Sequence, residues 1–515
     1  MGFSTRQLLL LNCIMYMTEA PLPSVFHFQG RTLGELVGSV DPSRIDPSAQ
    51  YDCFISGGEW RRILDCFRSD PVLTGLHIID AHKDLDPGGG GGRSAVFLRP
   101  ETREAVVVFK GTQSPEEWAD NFAGVNLSDT PQQRNALQWF RRICQDHRLQ
   151  RYSITVTGHS KGGNKAKYVS ILDSTVSRCV SFDGQGFSDL FMEKYRSQIS
   201  RRQSIVENHS AEYDFVNFLF QNIGREFFYM ASPSEQGGFA RNHSPAAMMH
   251  FTPDGYFLML PAPNGPAPGI AALSRFSDSF FASLTPLRRE TSYRTVEALR
   301  SAAFSMGDSK DFLHVFLPLL SHPDYTDDLA YLLAYTVVYQ QHFPEFTDHL
   351  RSLLVSFGLE DFTRYILLVD GILNLHLPTP FGTITFDSLF DNISHTAQGI
   401  PSGLLAILIG WAAHQGIHMT APQLRQLLAI LPRVNDYMGT IAIPHASPRA
   451  SGLTRFSRSL ELLGTVIGGN APDESRDVAP SRLQNTGSRL RTIGQITGQI
   501  SSVLQQPPSA EDDDG

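Results

Sequence analysis

The stretch Tyr152-Ser153-Ile154-Thr155-Val156-Thr157-Gly158-His159-Ser160-Lys161-Gly162-Gly163 decides how this chain is read. A β-branched run of strand composition ends abruptly in G-x-S-x-G, and Asn164 to Val169 then reads as a helix. Strand, sharp turn with serine at its apex, and helix together make the context of a nucleophile elbow. Gly158 and Gly162 have a steric task there, because so tight a turn brings neighbouring backbone against the positions a Cβ would occupy. The helix that follows aims its N-terminal amides and positive dipole end at the serine, which suits a developing oxyanion.

A serine hydroxyl at its ordinary pKa is a poor nucleophile, so it needs a base, and the base needs an orienting carboxylate. On this scaffold they follow in the chain order Ser, Asp, His. His209, His243 and His250 are the histidines available downstream. His243 lies in Arg241-Asn242-His243-Ser244-Pro245, a loop past the last expected strand, where a mobile base belongs. His250 opens a strand-like piece and is expected to point into packing. His209 lies near a candidate acid and is expected, at most, to support it. His159 is expected to pack within the elbow, its side chain diverging from that of Ser160. Two carboxylates, Asp183 and Asp214, each follow a strand, and the residues alone leave both open as the acid.

Upstream, Ser94 to Leu98 and Ala105 to Phe109 form an expected antiparallel hairpin at the sheet edge, turning around Pro100-Glu101-Thr102. The second strand ends at Gly111-Thr112. That strand end, with the residue after the nucleophile, supplies the oxyanion donors in an α/β-hydrolase, which assigns the amides of Thr112 and Lys161. Pro131 to Asp146 carries apolar residues at helical spacing, and further strands are expected at Leu76–Ala81, Cys179–Phe182, Ser204–Glu207 and Phe227–Met230. Alternating strand and helix implies a mostly parallel sheet with helices on both faces.

Around residues 261–275 the composition changes to Pro and Gly, which reads as a linker, and beyond it the pattern is helical to about residue 445. Expected helices include Phe312–Leu320, Asp327–Tyr339, Thr347–Gly358 and Asp361–Leu373. Leu404 to Ala413 is the most apolar run, too short to span a bilayer where ~20 residues are needed. It reads as a buried helix, or as an interfacial one that would make a peripheral membrane contact. Residues 446–515 read as a flexible tail with an acidic end, holding weak helices near Ser481 to Leu504.

Several classes are excluded. The formal net charge of −9 over 515 residues argues against nucleic acid. Five cysteines without a C-x-x-C or regular spacing read as free thiols of a reducing, cytoplasmic compartment rather than a disulfide frame or metal site. Leu8 to Met17 behind Arg6 imitates a signal peptide, which keeps a secreted effector as the alternative, but Glu19 sits badly beside a cleavage site. Gly2 opens no myristoylation signal, because position 6 is Arg. The glycines at 88–92 lack a following Gly-Lys-Ser/Thr and read as a flexible strand connection, not a phosphate loop.

The string GHSKGGN resembles the Mbeg-type bacterial family of uncharacterised α/β-hydrolases, related to the class 3 lipases, whose elbow is usually written GHSLGG. Val106 to Thr112 is similar to that family's "FRGT" strand, Ser181 to Phe187 to its "FDGPGF", Ala211 to Val216 to its "DxV" acid segment, and Asn242 to Pro245 to its histidine segment. The opening, Gln7 to Asn12 and Tyr16, also resembles the family's. The resemblance runs over about residues 1–260. It implies Asp214 as the acid, with Asp183 the alternative, and an ester, of lipase or phospholipase type, as the substrate. Lys165, where the family usually has an apolar residue, suggests a wetter helix face.

The expectation is therefore an α/β-hydrolase domain over residues 1–260 carrying Ser160, Asp214 and His243, with an α-helical C-terminal region. Phe187, Phe191, Phe215, Phe218, Leu219 and Phe220 are candidates for an acyl groove, or else core. No metal or organic cofactor is implied, and the sequence names no protein partner for the helical region. A different class of reading makes that region the functional part, an effector or interaction protein whose hydrolase domain is regulatory or inactive. Acyl transfer and peptide cleavage on the same scaffold are further enzyme readings.

Overall fold

The computed structural model describes residues 2–18, 20–83, 85, 92–112, 117, 120, 121, 123, 124, 127–232, 241–289, 291, 292, 294, 295, 298, 317–356, 369, 371, 372, 376–379, 382–385, 402–414 and 418–443. The chain divides into two compact units, one holding residues 1–121 and 128–270, the other 122–127 and 271–445. The tail from 446 onward, with its expected weak helices, lies outside the described residues, as do most of the 88–92 loop and most of Phe312–Leu320 and Asp361–Leu373.

The first unit is built on a seven-stranded sheet whose strands lie in chain order: β1 (His77–His82), β2 (Ser94–Arg99), β3 (Glu104–Phe109), β4 (Ser153–His159), β5 (Val176–Phe182), β6 (Val206–Ala211) and β7 (Arg225–Tyr229). β1 to β3 are antiparallel, and from β3 onward every pairing is parallel. The β2–β3 hairpin is present with Pro100–Thr102 as its turn, but β1 pairs outside it, so it is not the sheet edge as expected. The extra strand covers what would have been an open edge at β2.

Alternation along the strands sorts their side chains to two faces. Val106 and Val108 join one core with helix α1 (Thr5–Ile14), while Ala105, Val107 and Phe109 join another with helices α3 (Pro131–Asp146) and α4 (Lys161–Leu172). A further helix of the first core, α2 (Gly57–Arg68), is amphipathic and opens with a Ser56–Glu59 capping box. The run that imitates a signal peptide is this first core: Leu8, Leu9, Leu11, Ile14 and Met17 are fully buried, and α1 packs on β3, β4 and β5. The fold is thus a mostly parallel sheet with helices on both faces, as an α/β-hydrolase requires.

The stretch expected as a linker is ordered along β7. Ala262 N–H donates to Phe228 C=O, Ala267 N–H to Glu212 C=O, and helix α5 (Pro268–Ser283) starts directly after it.

The second unit is mainly helical: most of α5, then α6 (Thr326–His342), α7 (Glu345–Ser356), α8 (Ser402–His414) and α9 (Ala421–Met438), plus a small hairpin of His376–Thr379 with Gly382–Thr385. Phe276, Phe280, Tyr335, Tyr339 and Phe346 form its aromatic core, with ring centroids 5.0–6.2 Å apart. No helix among the described residues is long and apolar enough to cross a membrane.

Candidate active site

Parallel register places the C-terminal strand ends side by side. Phe109 is level with Gly158, Gly158 with Ser181, and Phe182 with His209, so the residues just beyond β3, β4, β5 and β6 meet at one rim. Those residues are Gly111-Thr112, Ser160, Asp183 and the turn leading to Asp214.

Ser160 has φ 60° and ψ −129°, a conformation that a non-glycine residue adopts only when its surroundings enforce it. The surroundings are visible. Ser160 N–H donates to Phe182 C=O at 2.9 Å, and Ser160 C=O accepts from Gly163 N–H at 2.9 Å. A Cβ on Gly158 would collide with the backbone of Gly162, and one on Gly162 with the carbonyl of Phe109. The glycines of the motif are therefore required by close backbone approach. A Cβ on Gly111 would stand 3.0 Å from that of Ser160, which sets the end of β3 against the serine. Thr112 follows directly and is half-buried, its Oγ1 accepting from Asn121 Nδ2 at 2.9 Å. Lys161 is the first residue of α4, where backbone amides have no partner within the helix.

Asp214 and His243 meet. The imidazole Nδ1 lies 2.7 Å from Asp214 Oδ1, both groups buried, and the other carboxylate oxygen accepts from Asn217 N–H at 2.6 Å. His243 ends a short 3-10 turn, Arg241–His243, anchored by an ion pair from Arg241 to Glu59 of α2. The Phe215 ring lies 5.3 Å from the imidazole. His243 Nε2 makes no hydrogen bond among the described residues, so its lone pair is unengaged.

The other candidates are occupied elsewhere. Asp183 Oδ1 accepts from Ala211 N–H at 2.9 Å, and its nearest imidazole is His159, 3.9 Å away and beyond hydrogen-bond reach. Burial, reinforced by the charge of Asp214, pushes the Asp183 carboxyl well above its usual range. His209 does not support the acid as expected: its Nδ1 pairs with Tyr229 OH at 2.7 Å and its Nε2 lies 3.4 Å from Glu207, the ring stacked on Phe227. His250 does not point into a packed core but donates to Met230 C=O at 2.9 Å from a two-residue strand. Of the apolar residues proposed for a groove, Phe187 and Phe191 stack at 4.0 Å in the helical-face core, whereas Phe215 stands against His243.

The expectation of a wet helix face at Lys165 is reversed. Lys161, Lys165 and Lys167 are all fully buried. Lys161 Nζ pairs with Asp120 at 2.7 Å, Lys165 with Glu117 at 3.6 Å, and Lys167 donates to Gly184 C=O at 3.0 Å and Asn222 Oδ1 at 2.6 Å. Burial would raise Asp120, but the Lys161 ammonium and bonds from Thr130 and Gln132 hold it below its ordinary value. Burial alone pulls the Lys167 ammonium down to about 7. The acidic partners lie 41 and 48 residues upstream, so helix periodicity could not reveal them. Three lysines crowded into two turns were the available signal. Among the described residues no group of acids, histidines and cysteines could hold a metal ion.

Residues 74–219 match the Mbeg1-like family. That Mbeg1-like segment covers less than half of the chain. It contains Thr112, Ser160, Asp183 and Asp214, and leaves His243 outside it. Comparison with the curated proteins gave no match. Among solved structures, the chain is similar to Lip2 lipase from Yarrowia lipolytica at 13% identity and TM-score 0.29, covering 46% of this chain and 80% of that one. It is similar to Rhizomucor miehei lipase in its propeptide complex at 19% identity and TM-score 0.22, covering 30% and 57%. A triacylglycerol lipase from Penicillium expansum gives 11% identity and TM-score 0.23, covering 30% and 70%.

Proposed function

We propose that the chain is a serine hydrolase that cleaves carboxylic esters, of lipase or phospholipase character, through an acyl-enzyme on Ser160. The observation that carries this reading is His243 held by buried Asp214 at 2.7 Å with its Nε2 unengaged, on a loop bonded to the residue preceding Ser160. A carboxylate on Nδ1–H fixes the tautomer that leaves Nε2 as the base. Ser160 Oγ attacks the acyl carbon while its proton passes to His243 Nε2, and Asp214 stabilises the imidazolium. The oxyanion is received by the amides of Thr112 and Lys161, in the positive field at the start of α4. The imidazolium then protonates the leaving alkoxide, and water repeats the sequence to release the acid. Phe215, against the imidazole, supplies an apolar wall for the acyl chain. None of these steps needs a cofactor.

Labelling with a fluorophosphonate probe tests the reading. Wild type is expected to be labelled and Ser160→Ala not, followed by turnover on a panel of short esters and phospholipids. Equal labelling of both proteins would remove Ser160 from the chemistry.

A further inference from the structure

The site contains a second histidine that the triad does not use. His159 is fully buried between the elbow and the N-terminal segment. Its Nε2 lies 2.9 Å from the backbone carbonyl of His243, and its Nδ1 lies 2.7 Å from Tyr16 OH. A carbonyl can only accept, so the ring proton is on Nε2, and Nδ1 must then accept from the tyrosine. The direction of the chain is fixed: Tyr16 O–H to Nδ1, then Nε2–H to His243 C=O.

Tyr16 does not reach this position alone. Four residues earlier, Asn12 Nδ2 donates to Thr157 Oγ1 at 2.9 Å, and Thr157 Oγ1 donates to Val180 C=O at 2.7 Å. Residues 157 and 159 share one face of β4, while 12 and 16 lie one helical turn apart. Two polar side chains of an otherwise apolar segment thus grip the strand that carries the serine. Burial and the neighbouring His243 push His159 well below its ordinary value, so it stays neutral when His243 takes a proton. The other titratable groups facing it are Asp183 at 3.9 Å and Cys53, whose Sγ is 3.9 Å from Nδ1, with Lys110 over the Tyr16 ring at 4.5 Å.

Resting on the serine-hydrolase reading, we propose that Tyr16 and His159 are positioning residues, a neutral relay from the N-terminal helix that holds the main chain of the base His243 in place for Ser160. The relay acts through the main chain of His243, whose ring lies 4.8 Å from that of His159. It makes the N-terminal segment part of the catalytic apparatus.

The test uses the full chain with three variants: Tyr16→Phe, His159→Phe and His159→Gln. Glutamine can place an N–H where Nε2 stood; phenylalanine cannot. The rate of fluorophosphonate labelling is expected to fall on the order of tenfold to a hundredfold in His159→Phe, with His159→Gln rescuing most of it. On a short ester the loss should fall on kcat with KM unchanged. In wild type, 15N-labelled histidine NMR should show His159 protonated at Nε2 and not titrating between about pH 5 and 8. Ordinary titration of His159, or its proton on Nδ1, overturns the relay, and so does wild-type labelling by a folded His159→Phe. If the variants fail to fold, the NMR of the wild-type protein still decides. If wild type itself is never labelled, the hydrolase reading falls, and the hydrogen-bond chain is judged by the NMR alone.

Discussion

Replacing Asp214 by asparagine separates the two carboxylates at the rim, and the structure dictates which way the amide turns. One oxygen of Asp214 accepts the Asn217 N–H at 2.6 Å, and the other faces His243 Nδ1 at 2.7 Å. In Asp214→Asn the single amide oxygen remains on the Asn217 donor, because turning the NH2 toward it would set two buried donors against each other. The NH2 then faces Nδ1, which must become the acceptor, and the ring proton moves to Nε2. Nε2 can no longer take the proton of Ser160. Loss of an equivalent acid lowers kcat by about 10⁴, or ~5 kcal/mol of barrier. In Asp183→Asn the amide oxygen stays on the Ala211 N–H and no bond to the base is touched, so a loss of about tenfold or less is expected. The assay is kcat on a short soluble ester with the rate of fluorophosphonate labelling, both variants first shown to melt cooperatively near wild type. A larger loss in Asp183→Asn than in Asp214→Asn would refute the reasoning and place the acid at the end of β5.

Three further outcomes follow from buried charge. Asp183→Asn should gain stability relative to wild type as pH rises above about 3.9, because the wild-type carboxyl, raised in the folded state, resists an ionisation the unfolded chain accepts freely; parallel denaturation curves at pH 4 and 7 check this. Asp120→Asn strands the Lys161 ammonium in the core and should cost ~3–5 kcal/mol by chemical denaturation at neutral pH, whereas a change within ~0.5 kcal/mol would show the pair to be solvated. Lys167, depressed to about 7 when folded, contributes a rise in wild-type stability between about pH 7 and 10 beside those of Lys110 and Lys165, which burial also lowers; Lys167→Met should flatten that rise, and an unchanged slope would show that Lys167 is charged when folded.

The legible and illegible parts of this molecule divide by the range of the interactions that fix them. The elbow could be read because its first constraint is local, Gly158 being forced by the backbone of Gly162 four residues on, while the constraint on Gly162 comes from Phe109 at the end of β3. Helix α3 was readable to its ends, Pro131–Asp146, because the Thr130–Gln133 capping box and the apolar period both lie within it. Helix α9 falls inside the region expected to be helical to about residue 445 without being delimited there, although Thr420 and Gln423 make the same box. The boundary between the two compact units, at 270/271, falls inside the stretch expected as a linker, but the order of its first part along β7 is not legible in composition. Proline and glycine report only that regular helix or strand is locally disfavoured, proline by its fixed φ and missing N–H and glycine by its freedom, not whether Ala262 and Ala267 find carbonyls on β7 and in the turn beyond β6.

At the site, the same division separates roles from supports. The proposed Ser160, Asp214, His243 set could be named from sequence because each follows a strand or lies in the loop after one. What holds those residues could not be. Lys165 reads as the mark of a wetter helix face until Glu117 returns from upstream of α3, the partner of the Lys161 side chain is Asp120 from the same stretch, and Tyr16 has no visible role until His159 meets it 143 residues later. A buried polar group must find its partner wherever the topology brings one. A polar residue inside an apolar run, such as Asn12 or Tyr16 in α1 and the turn after it, is therefore a sequence-level mark of a distant partner. In this chain both of those marks lead to the strand that delivers Ser160.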